Sequence, residues 1–111
     1  MVIDDYRKGY RSRLEIIRDV LGVADGAGDS GSKKTHIMYG ANLSYKLLTK
    51  YLDEVLSAGL VCEDESCYVI TEKGREFLEV YRGYEKEYEE IEKGNVRLNS
   101  GKEELEKLLL L

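Results

Sequence analysis

The sequence of 111 residues contains no proline and no tryptophan, and it has one histidine and two cysteines. Because proline is the residue that most strongly interrupts helices, its absence favours a mainly helical chain. A single histidine, His36, does not support a histidine-based metal cluster or a catalytic triad. Nowhere does the sequence group a nucleophile, a base and an oxyanion hole. We therefore predict no enzyme, no catalytic residue, no metal and no cofactor.

Long apolar segments are also missing from the sequence. No run approaches the ~20 apolar residues that a helix needs to span a bilayer. The first residues, Met-Val-Ile-Asp-Asp-Tyr-Arg-Lys, lack the apolar centre of a signal peptide. We expect a cytoplasmic protein with no membrane association. With 42% hydrophobic and 35% charged residues, the composition is that of a folded domain with a modest core.

The net charge of −5 argues against a simple basic nucleic-acid binder, but the charge is unevenly distributed. Residues 1–50 hold nine Lys and Arg against six Asp and Glu, whereas residues 51–111 hold eight against sixteen. A basic half of this kind could provide a local nucleic-acid surface, and the acidic half is expected to face water or a partner.

The segment from Asn42 to Lys50 is predicted to open an amphipathic helix that runs to about Ser57. Ser44 is a suitable N-cap, because its hydroxyl can accept a hydrogen bond from the first turn. The apolar residues at helical spacing are Leu47, Leu48, Tyr51, Leu52, Val55 and Leu56. Facing away from them in the first two turns are Tyr45, Lys46, Thr49 and Lys50. This pattern suits a helix that enters the major groove of DNA, although an ordinary surface helix could also carry two lysines.

The residues before this helix predict a helix-turn-helix. Arg13–Val23 has helical apolar spacing, and the glycine-rich residues 24–32 indicate a flexible loop without a phosphate-binding motif. Lys33–Tyr39 is predicted to form a short helix, and Gly40–Asn42 to form the turn into the next one. As a lone histidine beside two lysines, His36 is expected to be inert or to contact DNA.

The residues after this helix predict a short hairpin followed by a long helix. Leu60–Cys62 and Cys67–Ile70 are rich in strand-forming residues, with Glu63–Ser66 as the turn between them. Thr71 is the expected cap of the long helix. The two cysteines could face each other across the hairpin. Either they pack as small side chains, or they form a redox-sensitive disulfide.

The long helix has a heptad-like seam that predicts a homodimer. The residues spaced 4, 3, 4 and 3 apart are Phe77, Tyr81, Tyr84, Tyr88 and Ile91. Such a helix needs another surface, either its copy in a second subunit or the first helix of its own chain. Beyond Gly94, the helix could continue, or a short helix, Lys102–Leu110, could fold back. We divide the chain into a winged helix-turn-helix domain, residues 1–74, and a dimerisation region, residues 75–111.

The middle of the chain contains, in order, Asn42-Leu-Ser44, Tyr51-Leu52, Gly59-Leu60 and Phe77-Leu78. Together with the motif between Tyr68 and Phe77, these residues resemble an archaeal winged helix-turn-helix family that includes small Sulfolobus chromatin-type proteins. The resemblance covers Leu14 to Tyr88, and its most specific part is Tyr68-x-x-Thr71-x-Lys73-Gly74-x-x-Phe77. It implies a mainly α fold with a small β-hairpin, followed by a long C-terminal helix that forms an antiparallel coiled coil. It also implies a dimeric transcriptional regulator or chromatin-type factor that binds double-stranded DNA. The residues implied to face DNA are Lys33, Lys34, His36, Asn42, Ser44, Tyr45, Lys46, Thr49 and Lys50.

One departure from this family concerns the wing, whose turn carries Glu63, Asp64 and Glu65. Carboxylates near phosphates would repel them, so this wing is not expected to grip a DNA backbone. The acidic wing and the net charge leave a second interpretation open, a winged helix that binds proteins rather than DNA. In the DNA interpretation, Arg7, Lys8 and Arg11 could add contacts to the backbone.

Overall fold

The structure, a computed structural model, describes residues 11–92 and 100–110. Its helices are α1 (Arg13–Ala27), α2 (Lys34–Gly40), α3 (Tyr45–Ser57), α4 (Glu72–Glu92) and α5 (Ser100–Leu110). The strands are β1 (Ser32–Lys33), β2 (Val61–Asp64) and β3 (Cys67–Ile70), which form an antiparallel sheet in the order β1-β3-β2. The predicted mainly helical fold with a small hairpin is confirmed. None of the described helices has the length and apolarity needed to cross a membrane.

Helix α1 begins at a capping box and extends further than the sequence predicted. Ser12 Oγ accepts from the Glu15 N–H at 3.1 Å, and the Ser12 N–H donates to Glu15 Oε1 at 2.8 Å. The helix extends past Val23 to Ala27. Its row of core-facing residues includes Ala24, which is fully buried, so packing supports helix beyond Val23. The predicted end at Val23 is therefore wrong.

The glycine-rich residues 24–32 are not the flexible loop that their composition indicated. They form the last turn of α1, a 3₁₀ turn at Gly28–Ser30, and the start of β1. Gly31 allows this segment to approach β3, because a Cβ there would lie 3.0 Å from Cys67 Cβ and its φ is +77°. Gly31 thus permits close packing against the sheet.

Helices α2 and α3 form the predicted helix-turn-helix. Helix α2 begins at Lys34, since Lys33 pairs with Cys67 in the sheet, which corrects the predicted helix start. The N–H of Leu43 donates to the Met38 carbonyl at 2.9 Å, which tightens the turn. Ser44 is the N-cap of α3, as predicted, and its Oγ accepts from the Leu47 N–H at 3.2 Å. 

The hairpin of β2 and β3 closes with a two-residue turn rather than the predicted four. Glu65 and Ser66 have φ values of +50° and +69°, the backbone twist that matches a tight hairpin. Glu63 and Asp64 therefore lie in β2, opposite Tyr68 and Cys67 of β3.

The hydrophobic core joins all of the helices and the sheet. Its fully buried large side chains include Ile17, Leu21, Ile37, Leu48, Val55, Leu60, Phe77 and Leu105. Helix α5 contributes Leu105 and Leu108 and packs against α4. Of the two C-terminal arrangements that the sequence left open, the folded-back helix is the one observed, beginning at Ser100 rather than Lys102. Residues 93–99, including Gly94 and Asn95, lie outside the described residues.

The junction between α3 and α4 explains the Thr71-x-Lys73-Gly74 motif. Thr71 Oγ1 donates to the Gly59 carbonyl at 2.7 Å and accepts from the Gly74 N–H at 3.1 Å. Lys73 Nζ donates to the carbonyl of Ala58, the C-cap residue of α3, at 2.6 Å. A Cβ on Gly74 would lie 2.2 Å from the carbonyl oxygen of Leu60. The motif therefore fastens the end of α3 to the beginning of α4.

Replacing Gly74 tests this close approach. Because backbone atoms block a Cβ at this position, Gly74→Ala is expected to lower the free energy of unfolding by about 2–3 kcal/mol. Gly83→Ala in the same helix is the matched control, since nothing lies within 4 Å of its added Cβ. That substitution should raise stability by about 0.5–1 kcal/mol. Urea unfolding of both variants measures the difference, and equal stabilities would contradict the packing at Gly74.

Candidate nucleic-acid interface

The first two turns of α3 present a polar surface opposite the core. Leu48, Leu52 and Val55 are buried, which fixes the rotation of the helix about its axis. The residues on the exposed side are Tyr45, Lys46, Thr49 and Lys50, as the sequence predicted. Asp53 is exposed about one turn further along the same side. The basic part of the surface is therefore confined to the N-terminal half of the helix.

Two of these side chains have contacts that orient them. Lys50 Nζ lies 5.1 Å from the centre of the Tyr51 ring, within range of a cation–π interaction. Thr49 Oγ1 donates to the Tyr45 carbonyl at 3.0 Å, so its oxygen remains available as an acceptor. Tyr45 itself has a 64% exposed side chain. These groups can offer an ammonium, a phenol and a hydroxyl to a ligand.

The predicted residues outside α3 lie in three different elements. Lys34 and His36 are exposed on α2, whereas Lys33 is exposed on β1, beside the wing. Asn42 is exposed in the turn, and its carbonyl accepts from Arg11 Nη2 at 2.8 Å. Ser44 is engaged as the N-cap of α3. The turn and the start of α3 thus bring together Asn42, Ser44, Tyr45 and Lys46.

The lysines of this surface differ from the nearby arginines in their pairing. In residues 11–92 and 100–110, the described carboxylates form no ion pair with Lys33, Lys34, Lys46 or Lys50. All four side chains are exposed. The positive charge of these lysines is therefore not compensated by the described part of the chain. It is available to an anionic ligand.

The arginines of the N-terminal region instead pair within the chain. Arg11 pairs with Asp19, Arg13 with Glu54 and Glu106, and Arg18 with Asp19 and Glu85.

These pairs also affect the pKa values of two arginines. The hydrogen bond with Glu54 raises the pKa of Arg13. Burial lowers the pKa of Arg18, but the neighbouring Asp19 carboxylate raises it, and the net change is upward. Both side chains therefore stay charged and keep their carboxylate partners.

Two exposed hydrophobic side chains of the helix-turn-helix were absent from the predicted interface. Tyr39 of α2 is 78% exposed, and Leu47 of α3 is 39% exposed. Because successive residues of a helix are rotated by 100°, Tyr39 lies about 200° from the buried Ile37. Leu47 lies at the margin of the apolar side of α3. Plotting each helix around its axis would have identified both residues.

The wing is acidic, as the sequence indicated. Glu63, Asp64 and Glu65 are all exposed at the end of the hairpin. In the sheet, Asp64 pairs with Cys67, which in turn pairs with Lys33. One lysine therefore lies on the wing sheet near these carboxylates, and the wing offers no basic surface comparable to that of α3.

Cys62 and Cys67, which the sequence allowed to face each other across the hairpin, are not opposite each other in the sheet. Cys62 lies opposite Val69, and Cys67 lies opposite Asp64, so the two cysteines are diagonal neighbours. Diagonal residues are about 7–8 Å apart, whereas a disulfide needs Cα atoms within about 6.8 Å. Both thiols are free. Among the described residues, no group of three His, Cys, Asp or Glu side chains could hold a metal ion.

A thiol count tests this register. The folded protein is expected to contain two titratable thiols with and without mild oxidant, because bridging the cysteines would require the strands to shift. Ellman titration of protein unfolded after the treatment measures this, and Cys62→Ser provides a one-thiol control. Loss of both thiols with no change in molecular mass beyond two hydrogens would reveal an intramolecular disulfide and contradict the register.

The chain is similar to known proteins over most of its length. Residues 10–89 match a protein-family model described as winged helix-turn-helix. An uncharacterised protein of Methanocaldococcus jannaschii is 32% identical over 69 residues, which cover 62% of this chain and 68% of that protein. The crystal structure of Sso10a-2, a DNA-binding protein from Sulfolobus solfataricus, is similar with a TM-score of 0.62 and 26% identity. That similarity covers 89% of this chain and 97% of the other.

Proposed function

This chain belongs to the winged helix-turn-helix family, and on that basis we propose that it binds double-stranded DNA through α3. The observation that carries the proposal is that the lysines and the arginines around the helix-turn-helix differ in their ion pairing. Lys46 and Lys50 are exposed and form no ion pair with the described carboxylates, whereas Arg11, Arg13 and Arg18 pair with carboxylates. The similar Sso10a-2 is described as a DNA-binding protein, which supports the same ligand here.

In the proposed complex, the N-terminal half of α3 lies in the major groove. Lys46 and Lys50 would contact phosphates or guanine edges, Tyr45 would donate to a phosphate or a base, and Thr49 would accept from a base amino group. The positive end of the helix dipole adds to the attraction. Asp53 limits this contact to the first two turns, because its carboxylate would repel phosphates at the far end of the helix.

The acidic wing contributes little to the proposed DNA contact. Three exposed carboxylates, those of Glu63, Asp64 and Glu65, would repel the backbone if the wing approached it. The supporting contacts would instead come from Lys34 and His36 on α2. DNA binding would therefore depend more on the helix-turn-helix than it does in a winged helix with a basic wing.

We propose that two copies of the chain associate through residues 75–111, as an antiparallel coiled coil, and regulate transcription or organise DNA. Phe77 and Tyr81 are 0% and 4% exposed within one chain, so they are core residues that a second copy does not need to cover. The contact would involve Tyr84, which is partly buried, and Leu110, which is 83% exposed. The side chains of Tyr88 and Ile91, which the sequence also placed in the seam, lie outside the described part of the chain. A dimer would present two α3 helices to successive major grooves.

A second candidate function is the binding of a protein. The acidic wing, the exposed Asp53 and the net charge of −5 favour a basic protein partner. In that case, the hairpin rather than α3 would carry the interaction. Lys46 and Lys50 distinguish the two functions, because their substitution would weaken DNA binding and would not affect protein binding by the hairpin.

The lysines of α3 provide the first test of DNA binding. Each of Lys46→Ala and Lys50→Ala is expected to weaken binding to duplex DNA and to reduce the slope of log affinity against log salt by about 0.9. Lys46→Glu and Lys50→Glu should weaken binding further, because they add repulsion. Fluorescence anisotropy with a labelled duplex at several salt concentrations measures both quantities.

Lys86→Ala is the matched control for these variants, since Lys86 is exposed on α4. It should leave the salt slope unchanged. If both glutamate variants bind duplex DNA as tightly as the parent, α3 is not the DNA-binding surface. An absence of binding by the parent even at low salt would favour the protein-binding candidate.

The proposed dimer is tested by mass in solution. Light scattering is expected to give twice the chain mass of 12.7 kDa. Leu110→Asp should shift the equilibrium towards the single chain without unfolding it, because this side chain is exposed within one chain. Leu47→Asp is the control, because Leu47 is also exposed but lies in α3, and it should leave the dimer intact. A parent protein that has the mass of one chain at high concentration would exclude the dimer.

A further inference from the structure

Arg11 connects the beginning of α1 to the turn of the helix-turn-helix. Its Nη1 pairs with the Asp19 carboxylate, and its Nη2 donates to the Asn42 carbonyl at 2.8 Å, across a separation of 31 residues in the sequence. The guanidinium is planar and can hold two partners in a fixed geometry, which a lysine ammonium cannot reproduce. Both terminal nitrogens of the Arg11 guanidinium therefore have partners within the chain.

The residue that Arg11 holds determines how the chain enters α3. Asn42 has a φ of +56°, which is uncommon for a residue other than glycine. Its N–H donates to the Tyr39 carbonyl at 3.2 Å, so both backbone polar groups of Asn42 are bonded. Ser44, two residues later, is the N-cap of α3. Fixing Asn42 thus fixes the position from which the proposed DNA-binding helix begins.

Asp19, the other partner of Arg11, is itself anchored to α4. It accepts from Arg18 Nε at 2.8 Å, and Arg18 Nη1 donates to Glu85 Oε2 at 2.7 Å. The Arg18 guanidinium also lies 5.1 Å from the centre of the buried Tyr81 ring. The carboxylate that orients Arg11 is therefore held by two helices rather than by one exposed side chain.

We propose that Arg11 is a positioning residue for DNA binding, which holds the turn at Asn42 and thereby sets the angle of α3. The proposal rests on the DNA-binding function proposed above. It differs from the sequence-based expectation that Arg11 contacts the DNA backbone. The opposite end of α3 is held by Lys73 and Thr71, so Arg11 supplies the corresponding restraint at the beginning of the helix.

Substitutions at Arg11 and Asp19 distinguish positioning from direct contact. If Arg11 positions α3, Arg11→Ala should weaken duplex binding roughly tenfold, as expected for losing one charged hydrogen bond, with an unchanged salt slope. Asp19→Asn should weaken binding too, because Arg11 loses its anchor. If Arg11 contacts phosphate, Arg11→Ala should reduce the slope by about 0.9. Asp19→Asn should then strengthen binding by releasing the guanidinium.

Asp29→Asn is the matched control, because it removes one negative charge from an exposed side chain of the 3₁₀ turn and leaves Arg11, Asp19, Arg18 and Glu85 intact. Its affinity should equal or slightly exceed that of the parent. Arg11→Lys should bind as weakly as Arg11→Ala, and it retains the charge if the alanine variant fails to fold. Thermal unfolding of each variant confirms that binding is measured on folded protein.

The outcomes separate this inference from the proposed function. Weaker binding by Arg11→Ala and Asp19→Asn with the parent's salt slope supports positioning. A reduced slope for Arg11→Ala, tighter binding by Asp19→Asn, or parental affinity for both overturns it. A parent protein that does not bind DNA overturns the proposed function itself, whereas a parent that binds normally leaves that function standing when only the inference fails.

Discussion

The fold depends on how the end of α3 is joined to the beginning of α4. Carbonyls at the end of a helix need hydrogen-bond donors, and here residues at the beginning of α4 supply donors to the carbonyls that directly follow α3. Thr71 and Lys73 donate to the carbonyls of Gly59 and Ala58, and Gly74 leaves room for the chain to approach. Because α4 also packs on α1, this junction fixes α3 relative to the core. A rigid scaffold is what allows one helix to present its outer side to a ligand in a constant orientation.

The distribution of arginine and lysine follows from the physical difference between their side chains. Arginine forms directional, bidentate contacts, and here Arg11, Arg13 and Arg18 connect elements that are far apart in the sequence. Lysine is a flexible point charge that is strongly hydrated, and Lys46 and Lys50 lie exposed on α3. A chain with a net charge of −5 can therefore still present a locally positive surface, because Asp19, Glu54 and Glu85 pair with arginines and three further carboxylates lie on the wing. Net charge alone is a poor guide to the ligand in such a protein.

The sequence predicted the elements whose signals are local, and it missed those that depend on contacts between distant residues. The Ser44 cap and the end of α3 at Ser57 are confirmed, because capping residues and helical periodicity are read within one or two turns. The pairing of Ser32 with Tyr68 was missed, since a two-residue strand has no periodicity of its own. The same limit applies to the interface, where the exposed lysines were predicted but the engagement of Arg11 across 31 residues was not.

The C-terminal helices illustrate why a periodic pattern does not identify its partner. Phe77 and Tyr81 occupy a heptad-like seam, yet both are buried in the core of the single chain, where their rings stack 6.4 Å apart. Burial also raises the pKa of Tyr81 above its ordinary value, so this phenol remains neutral and suits an apolar core. The first two residues of the seam are therefore part of the hydrophobic core of the single chain. Since α5 contributes Leu105 to the same core, a second copy would have to pack against the outer surface of α4 and α5, one or more turns beyond Tyr81. Dimerisation in this arrangement would extend the domain core rather than replace contacts already made within one chain.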